Sequence, residues 1–136
     1  MMACAGSWAC LPRCAEETAS SEVPADRLRA AAVRARGEQV YRERCVLCHG
    51  ENADGLGARS MGLARKPPAF TDPVWSRPDG ASRAYHAITE GVAGTAMPAW
   101  GAVLDADDRW ALVAFITSVS EQSARASESP STGRDR

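Results

Sequence analysis

A cysteine pair followed directly by a histidine is the part of this chain whose residue types and spacing are best suited to chemistry. Cys45, Cys48 and His49 form the pattern C-x-x-C-H, which is typical of covalent haem c attachment. In that chemistry each thiol bonds to a haem vinyl group, and the histidine binds the iron through a ring nitrogen. The alternatives are half of a zinc site, a redox-active thiol pair, and chance. A zinc site would need a second Cys or His pair, but no cysteine follows Cys48 and the other histidine of the chain is His86.

A haem iron bound by His49 has one axial position left, for which Met61, Met97, His86 or no residue are the candidates. Met97 is favoured because it lies in a Gly- and Pro-containing loop between two predicted helices, and Pro98 stiffens that loop. A methionine that only fills the core usually lies on the apolar face of a periodic element. Met61 follows the motif too closely to reach around the ring easily, and His86 lies within a predicted helix. The predicted cofactor-binding residues are therefore Cys45, Cys48, His49 and Met97, with His49 and Met97 as the metal ligands and no catalytic residue.

Helices are predicted to position these side chains. The stretch from Asp26 to His49 has no proline and one glycine and is rich in good helix formers. Residues three and four apart share a helix face, so the three motif residues point the same way. Gly50 is expected to end this helix. A last helix is predicted to begin after the N-cap residue Asp105, to bury a broad apolar stripe and to end near Ser120.

Length and composition indicate one domain with flanking segments. The chain has 136 residues and a net charge of −1, which gives no global reason to expect nucleic-acid binding. Residues 1–25 are predicted to be an N-terminal extension, residues 26–120 the folded domain, and residues 121–136 a disordered tail. No apolar run is long enough to span a membrane. The segment 26–44 has six Arg against three acidic residues, which is typical of a solvated helix face or, alternatively, of a docking patch for an acidic redox partner.

Taken together, residues 36–120 resemble a class I monohaem c-type cytochrome domain, in the style of bacterial cytochrome c6 and of oxidase-associated cytochromes c. Beyond the attachment motif and Met97, the matching positions are Gly37 and Tyr41 in the first helix and Leu112 and Phe115 in the last. The resemblance implies an all-α cytochrome c fold, a small helical domain wrapped around one covalently attached haem. It also implies that the N- and C-terminal helices cross near Gly37. The carbonyl of Pro67 or Pro68 is expected to accept a hydrogen bond from the ring N–H of the haem-binding histidine.

The function implied by this resemblance is one-electron transfer through a haem c with His/Met ligation, in a respiratory or related chain, without enzymatic activity. The alternatives are an electron-transfer subunit of a larger oxidase or dehydrogenase, and a haem enzyme or gas sensor with an open iron position. Redox proteins are the expected partners, docking at an exposed haem edge of a monomer or of a subunit in a complex.

Haem c attachment implies a periplasmic or otherwise extracytoplasmic location, with or without membrane association. Residues 1–11 lack the early positive charge and the long apolar run of a signal peptide. We therefore expect either that the true start lies upstream, or that a lipoprotein signal remains with a lipid anchor at Cys10 or Cys14. The remaining alternative is that these cysteines are ordinary thiols without a lipid.

Overall fold

Helices and loops make up the part of the chain that the structure, a computed structural model, describes, which is residue 26 and residues 29–129. No strand occurs within those residues, which confirms the predicted all-α class. In chain order, the α-helices of this part are α1 (Ala31–Arg44), α2 (Val46–His49), α3 (Pro78–Glu90) and α4 (Ala106–Glu128). Single 3-10 turns at Ser60–Gly62 and Pro73–Ser76 lie in the long connection between α2 and α3.

The first and last helices cross where α1 has no side chain. A Cβ atom placed on Gly37 would lie 1.9 Å from the carbonyl oxygen of Ala111 and 3.0 Å from the Cβ of Phe115. The backbones of α1 and α4 therefore approach as closely as only glycine permits. One turn further along, the rings of Tyr41 and Phe115 pack at a centroid distance of 4.9 Å. The predicted crossing near Gly37 is confirmed.

The helix predicted to run unbroken from Asp26 to His49 is interrupted in the structure. Ala30 is extended, and Cys45 has φ −113° and ψ −29°, which separates α1 from α2. The chain nevertheless keeps turning, because the backbone N–H groups of residues 48 and 49 both donate to the Cys45 carbonyl, at 3.1 and 2.9 Å. Gly50 ends α2 with φ 84°, as predicted. The buried Tyr41 hydroxyl donates to the Gly50 carbonyl at 2.7 Å and so ties α1 to the end of α2.

The last helix is longer than its sequence suggested. Asp105 caps it as predicted, accepting from the backbone N–H of Asp108 at 2.8 Å, but the predicted end near Ser120 is wrong because α4 continues to Glu128. The serine hydroxyls do not terminate the helix, since that of Ser118 donates to a carbonyl of its own helix. The hydroxyl of Ser120 is fully buried and donates to the Asp72 carbonyl in the connection at 2.6 Å. Part of the predicted disordered tail is therefore helical, and residues 130–136 lie outside the described residues.

The core is formed by α1, α3 and α4 together with the connecting loops. The largest of its fully buried apolar side chains are Val40, Tyr41, Leu112 and Val113, each at most 2% exposed. Phe70 joins them from the connection between α2 and α3. Among the described residues, no helix combines the length and the apolar character needed to cross a membrane.

Candidate cofactor site

An apolar cavity of about 360 Å³ opens between α2, α3, α4 and the loop before α4. Its volume lies in the range of small-molecule and cofactor sites. The four predicted cofactor-binding residues all line it: Cys45, Cys48, His49 and Met97. The competing ligands for the iron lie elsewhere, because Met61 is 80% exposed and outside this lining. His86 lies on the surface of α3 with its Nδ1 atom 4.0 Å from a carboxylate oxygen of Glu90.

The imidazole of His49 is in the neutral form, which can donate a lone pair to a metal ion. Its side chain is buried, and burial lowers the pKa of His49 to about 4, so the imidazole is neutral at ordinary pH. Its Nδ1 atom is buried without a hydrogen-bond partner. An unpaired buried nitrogen is costly, so it indicates a site completed by a bound group. Burial, and secondarily the neighbouring Cys48, raises the pKa of the Cys45 thiol to about 12, so that thiol stays protonated and uncharged.

Aromatic side chains support the histidine ring. Phe70 stacks on the ring of His49, with centroids 4.8 Å apart and an interplanar angle of 12°. Trp75 meets Phe70 edge-on at 5.3 Å, and its indole N–H donates to the Ala69 carbonyl at 3.0 Å. Both rings also line the cavity. Neither Phe70 nor Trp75 is among the site residues predicted from the sequence, where the available signal is a pair of aromatic residues in a loop otherwise rich in proline.

The predicted hydrogen bond from the histidine to a proline carbonyl is absent. Pro67 and Pro68 both line the cavity, yet neither carbonyl accepts from His49 in this structure. Both carbonyls instead face Gly55, where an added Cβ would lie 2.5 Å from the Pro67 oxygen and 3.2 Å from the Pro68 oxygen. Gly55 in turn donates its backbone N–H to the His49 carbonyl at 2.8 Å. The two prolines therefore contact the motif through the backbone of this loop rather than through the imidazole.

The loop that presents Met97 is tied down at several points. The Val92 N–H donates to the Met97 carbonyl at 3.2 Å, and the Met97 N–H donates to the Thr95 hydroxyl at 3.1 Å. Gly91 has φ 73°, and a Cβ there would lie 2.8 Å from the Met97 carbonyl oxygen, so the turn closes too tightly for a side chain. After the loop, the Trp100 N–H donates to the Ile88 carbonyl of α3 at 2.9 Å. The backbone of Met97 is thus fixed by hydrogen bonds at both its N–H and its carbonyl group.

The lining of the cavity fits a haem. It supplies two thiols, an imidazole and a thioether in otherwise apolar surroundings, which is the donor set of a His/Met haem c. The charged side chains of the lining are all cations, namely Arg44, Arg65 and Lys66, and no carboxylate lines the cavity. No cluster of three His, Cys, Asp or Glu side chains that could hold a metal ion by themselves occurs in residues 29–129.

Comparison with known proteins gives a family match that agrees with the residues of this cavity. Residues 32–116 match the family described as cytochrome c oxidase, cbb3-type, subunit III. The cbb3-type cytochrome c oxidase subunit FixP of Bradyrhizobium diazoefficiens is 34% identical over 85 residues, covering 62% of this chain and 27% of that protein. Subunit CcoP of Azospirillum brasilense is 41% identical over 75 residues, covering 55% of this chain and 24% of that protein.

The chain thus spans about a quarter of the length of these curated relatives. Among solved structures, a chain of the reducing HAO-like protein complex Kustc0457/Kustc0458 of Kuenenia stuttgartiensis superposes with a TM-score of 0.55. That chain is 30% identical, and the match covers 74% of this chain and 47% of the other.

Proposed function

Because the chain belongs to the cytochrome c oxidase, cbb3-type, subunit III family of class I monohaem c-type cytochrome domains, we propose that it is a one-electron carrier with one covalently attached haem c. The cofactor class follows from the family, and the cytochrome c fold agrees with the all-helical structure. The observation that carries the proposal is the convergence of two thiols, one imidazole and one thioether on a single apolar cavity.

Each predicted site residue then has a distinct task. Cys45 and Cys48 would hold the haem through two thioether bonds, and His49 and Met97 would bind its iron. When bound, the haem supplies an iron that alternates between the ferric and ferrous states. The neutral imidazole of His49 offers its lone pair without first losing a proton, and the thioether of Met97 favours the ferrous state and so raises the potential. If His49 and Met97 both bind the iron, no iron position is left for a substrate, so we propose that the domain is not itself an enzyme.

The surrounding residues would keep the site dry and rigid. Phe70 and Trp75 cover the histidine side of the cavity, and the bonded loop from Val92 to Trp100 holds the methionine side. Rigid ligands mean that little must move when the oxidation state changes. A small domain of this kind meets its partners in brief encounters over a small interface.

The names of the relatives favour a more specific setting. FixP and CcoP are named as subunits of cbb3-type cytochrome c oxidases, so we propose as the second candidate function that this domain passes electrons within an oxidase complex rather than as a free carrier. Co-purification with oxidase subunits would support that setting. An extracytoplasmic location follows from the chemistry of haem c attachment. The proposed lipid anchor at Cys10 or Cys14 lies outside the described residues.

The direct test is the visible spectrum of the haem-loaded protein, oxidised and reduced, with and without carbon monoxide. We expect a c-type spectrum that carbon monoxide leaves unchanged, since His49 and Met97 would together leave the iron no position for the gas. Met97→Ala should keep its haem, bind carbon monoxide and show a lower reduction potential, whereas the matched variant Met61→Ala should behave as wild type. Met97→Ala with an unchanged potential would remove this residue as the ligand.

Covalent attachment needs its own test. The double variant Cys45→Ala/Cys48→Ala should lose the haem band that survives a denaturing gel, while Met97→Ala should retain it. Covalent haem in the double variant would contradict the proposed cofactor chemistry.

A further inference from the structure

The imidazole of His49 is oriented in this structure without the help of a hydrogen bond. Neither of its ring nitrogens bonds to another residue of the described part of the chain, although Nδ1 is fully buried. A histidine that binds a metal usually donates its second ring N–H to a carbonyl, a carboxylate or a water molecule, and that bond fixes the direction of the ring. The plane of this imidazole must therefore be set by packing.

Phe70 is the side chain placed to set that plane. The centroid of its ring lies 4.8 Å from that of the imidazole, and the two planes are within 12° of each other. Parallel, offset rings at such a distance are a favoured aromatic arrangement. If the imidazole turned about its Cβ–Cγ bond, one of its edges would press against the phenyl face. Phe70 is itself only 7% exposed, so it is not free to swing out of the way.

The backbone that carries Phe70 is fixed next to the attachment motif. The Phe70 N–H donates to the Ala53 carbonyl at 2.7 Å. Ala53 is buried and has φ 58°, a left-handed conformation that is uncommon for a residue other than glycine. Such a conformation persists only where the surrounding structure fixes it. The position of Phe70 relative to the turn after His49 is therefore well determined.

Trp75 holds the phenyl ring from another direction. It meets Phe70 edge-on, with centroids 5.3 Å apart and an interplanar angle of 83°. Its indole N–H donates to the carbonyl of Ala69, the residue directly before Phe70, at 3.0 Å. The indole is thus fixed to both the ring and the backbone that it supports. This arrangement is more specific than the filling of an apolar core requires.

Helices α3 and α4 in turn fix the turn that carries Trp75. The Trp75 N–H donates to the Asp72 carbonyl at 3.2 Å, and the buried Ser120 hydroxyl of α4 donates to the same carbonyl at 2.6 Å. A Cβ on Gly80, at the start of α3, would lie 2.8 Å from the Trp75 Cα, so the helix touches this turn. The guanidinium carbon of Arg83 lies over the indole at 5.3 Å. The contacts continue from two helices to the imidazole.

We propose that Phe70, backed by Trp75, is a positioning residue that sets the plane of the His49 imidazole, keeps water from it and thereby raises the reduction potential of the haem site. This inference rests on the proposed function and adds a determinant of its potential. A hydrogen bond to the outer nitrogen makes a ligating imidazole more basic, and a more basic ligand favours ferric iron. An imidazole held by a phenyl face without that bond is a weaker donor and favours the ferrous state.

The test compares haem-loaded variants of the full chain. Phe70→Leu removes the aromatic ring and keeps an apolar side chain, whereas Phe70→Tyr keeps the ring. Phe115→Leu is the matched control, because Phe115 packs on Tyr41 and does not line the cavity. Two quantities are measured: the reduction potential, by titration followed in the visible spectrum, and the proton NMR signals of the haem methyl groups in the oxidised protein. The pattern of those signals depends on the direction of the axial imidazole plane.

We expect Phe70→Leu to lower the potential, because the smaller side chain lets the imidazole turn and lets water reach its free nitrogen. At the midpoint potential of the wild type, the ratio of ferrous to ferric haem should fall several-fold, and the methyl signals should be rearranged. Phe70→Tyr should restore both quantities, and Phe115→Leu should change neither. Trp75→Leu leaves the stacked pair in place but removes its support, so it should produce the same changes to a smaller extent.

Two outcomes would overturn the inference. One is a Phe70→Leu protein with the methyl pattern and potential of the wild type. The other is an equal change in Phe70→Leu and Phe115→Leu, since a general loss of packing would then govern both quantities. If Phe70→Leu does not retain its haem, Trp75→Leu decides, and unchanged signals and potential in that variant would overturn the inference. A wild-type protein without a c-type spectrum would instead refute the proposed function.

Discussion

The crossing of α1 and α4 offers the most direct test of how this fold is held together. Replacing Gly37 by alanine adds one methyl group at the closest approach of the two helices. The new Cβ would lie 1.9 Å from the Ala111 carbonyl oxygen and 2.5 Å from its carbonyl carbon, both well below 3.0 Å. The obstacle is helix backbone and not a flexible side chain, so the helices themselves must separate by more than 1 Å.

The magnitude follows from two opposing terms. Overpacking a well-packed core costs about 1–3 kcal/mol and occasionally more, and a clash with rigid backbone belongs at the upper end of that range. Alanine is a better helix former than glycine, which returns roughly 1 kcal/mol. We therefore expect Gly37→Ala to lower the free energy of unfolding by about 2 kcal/mol or more, corresponding to a midpoint roughly 8–16 °C lower for a domain of this size.

The assay is thermal and denaturant unfolding of the haem-loaded protein, followed by far-ultraviolet circular dichroism. Gly62→Ala is the matched control, because a Cβ at Gly62 meets no atom within 4 Å. That control should change stability little. A Gly37→Ala protein as stable as the wild type would refute the view that the helices are in contact at this position.

Three further predictions concern polar contacts. Tyr41→Phe removes a buried hydroxyl that ties α1 to the turn after the attachment motif, and should lower the unfolding free energy by about 1 kcal/mol in a denaturant titration. Ser120→Ala leaves the Asp72 carbonyl without the 2.6 Å bond from α4 and should cost about 1–2 kcal/mol in the same measurement. The hydrogen bond from Arg36 lowers the pKa of Asp108, so Arg36→Gln should lower the stability slightly at neutral pH, because an exposed ion pair is weak.

The loss of stability caused by Arg36→Gln should depend on pH in a defined direction. A carboxyl whose pKa is lower in the folded than in the unfolded state stabilises the fold above its unfolded pKa, near 4, and this contribution is lost as the pH falls. The stability curves of the wild type and Arg36→Gln should therefore converge in acid, and a constant gap down to low pH would contradict the assignment.

Ser127→Ala is the control for Ser120→Ala, because the exposed Ser127 hydroxyl bonds only within α4. Equal losses of stability in the two serine variants would refute a special role for Ser120. An unchanged Tyr41→Phe midpoint would show that the Gly50 carbonyl is satisfied without the phenol.

Local sequence patterns predicted those features of this protein that depend on interactions between neighbouring residues. The C-x-x-C-H motif, Gly50 as the end of α2 and Asp105 as the cap of α4 were all evident from the chain. The break at Cys45 and the continuation of α4 to Glu128 were not. The serines near the predicted end do not stop α4, because the Ser118 hydroxyl bonds to a carbonyl of the helix itself and the Ser120 hydroxyl bonds to the carbonyl of the distant Asp72.

The sequence by itself determined the chemistry available to this protein, because residue type and short spacing decide which thiols, imidazole and thioether are present and which local turns they occupy. Only the tertiary structure decided which of them share a cavity, since Met97 lies 48 residues after His49 and lines the same cavity only through the packing of α3 and α4. The same holds for charge. Composition records a net charge of −1, but whether a given arginine is paired depends on what another element brings beside it, as Asp108 is brought to Arg36. Long-range contacts of this kind are set by the packed core and leave no signature in a short stretch of sequence.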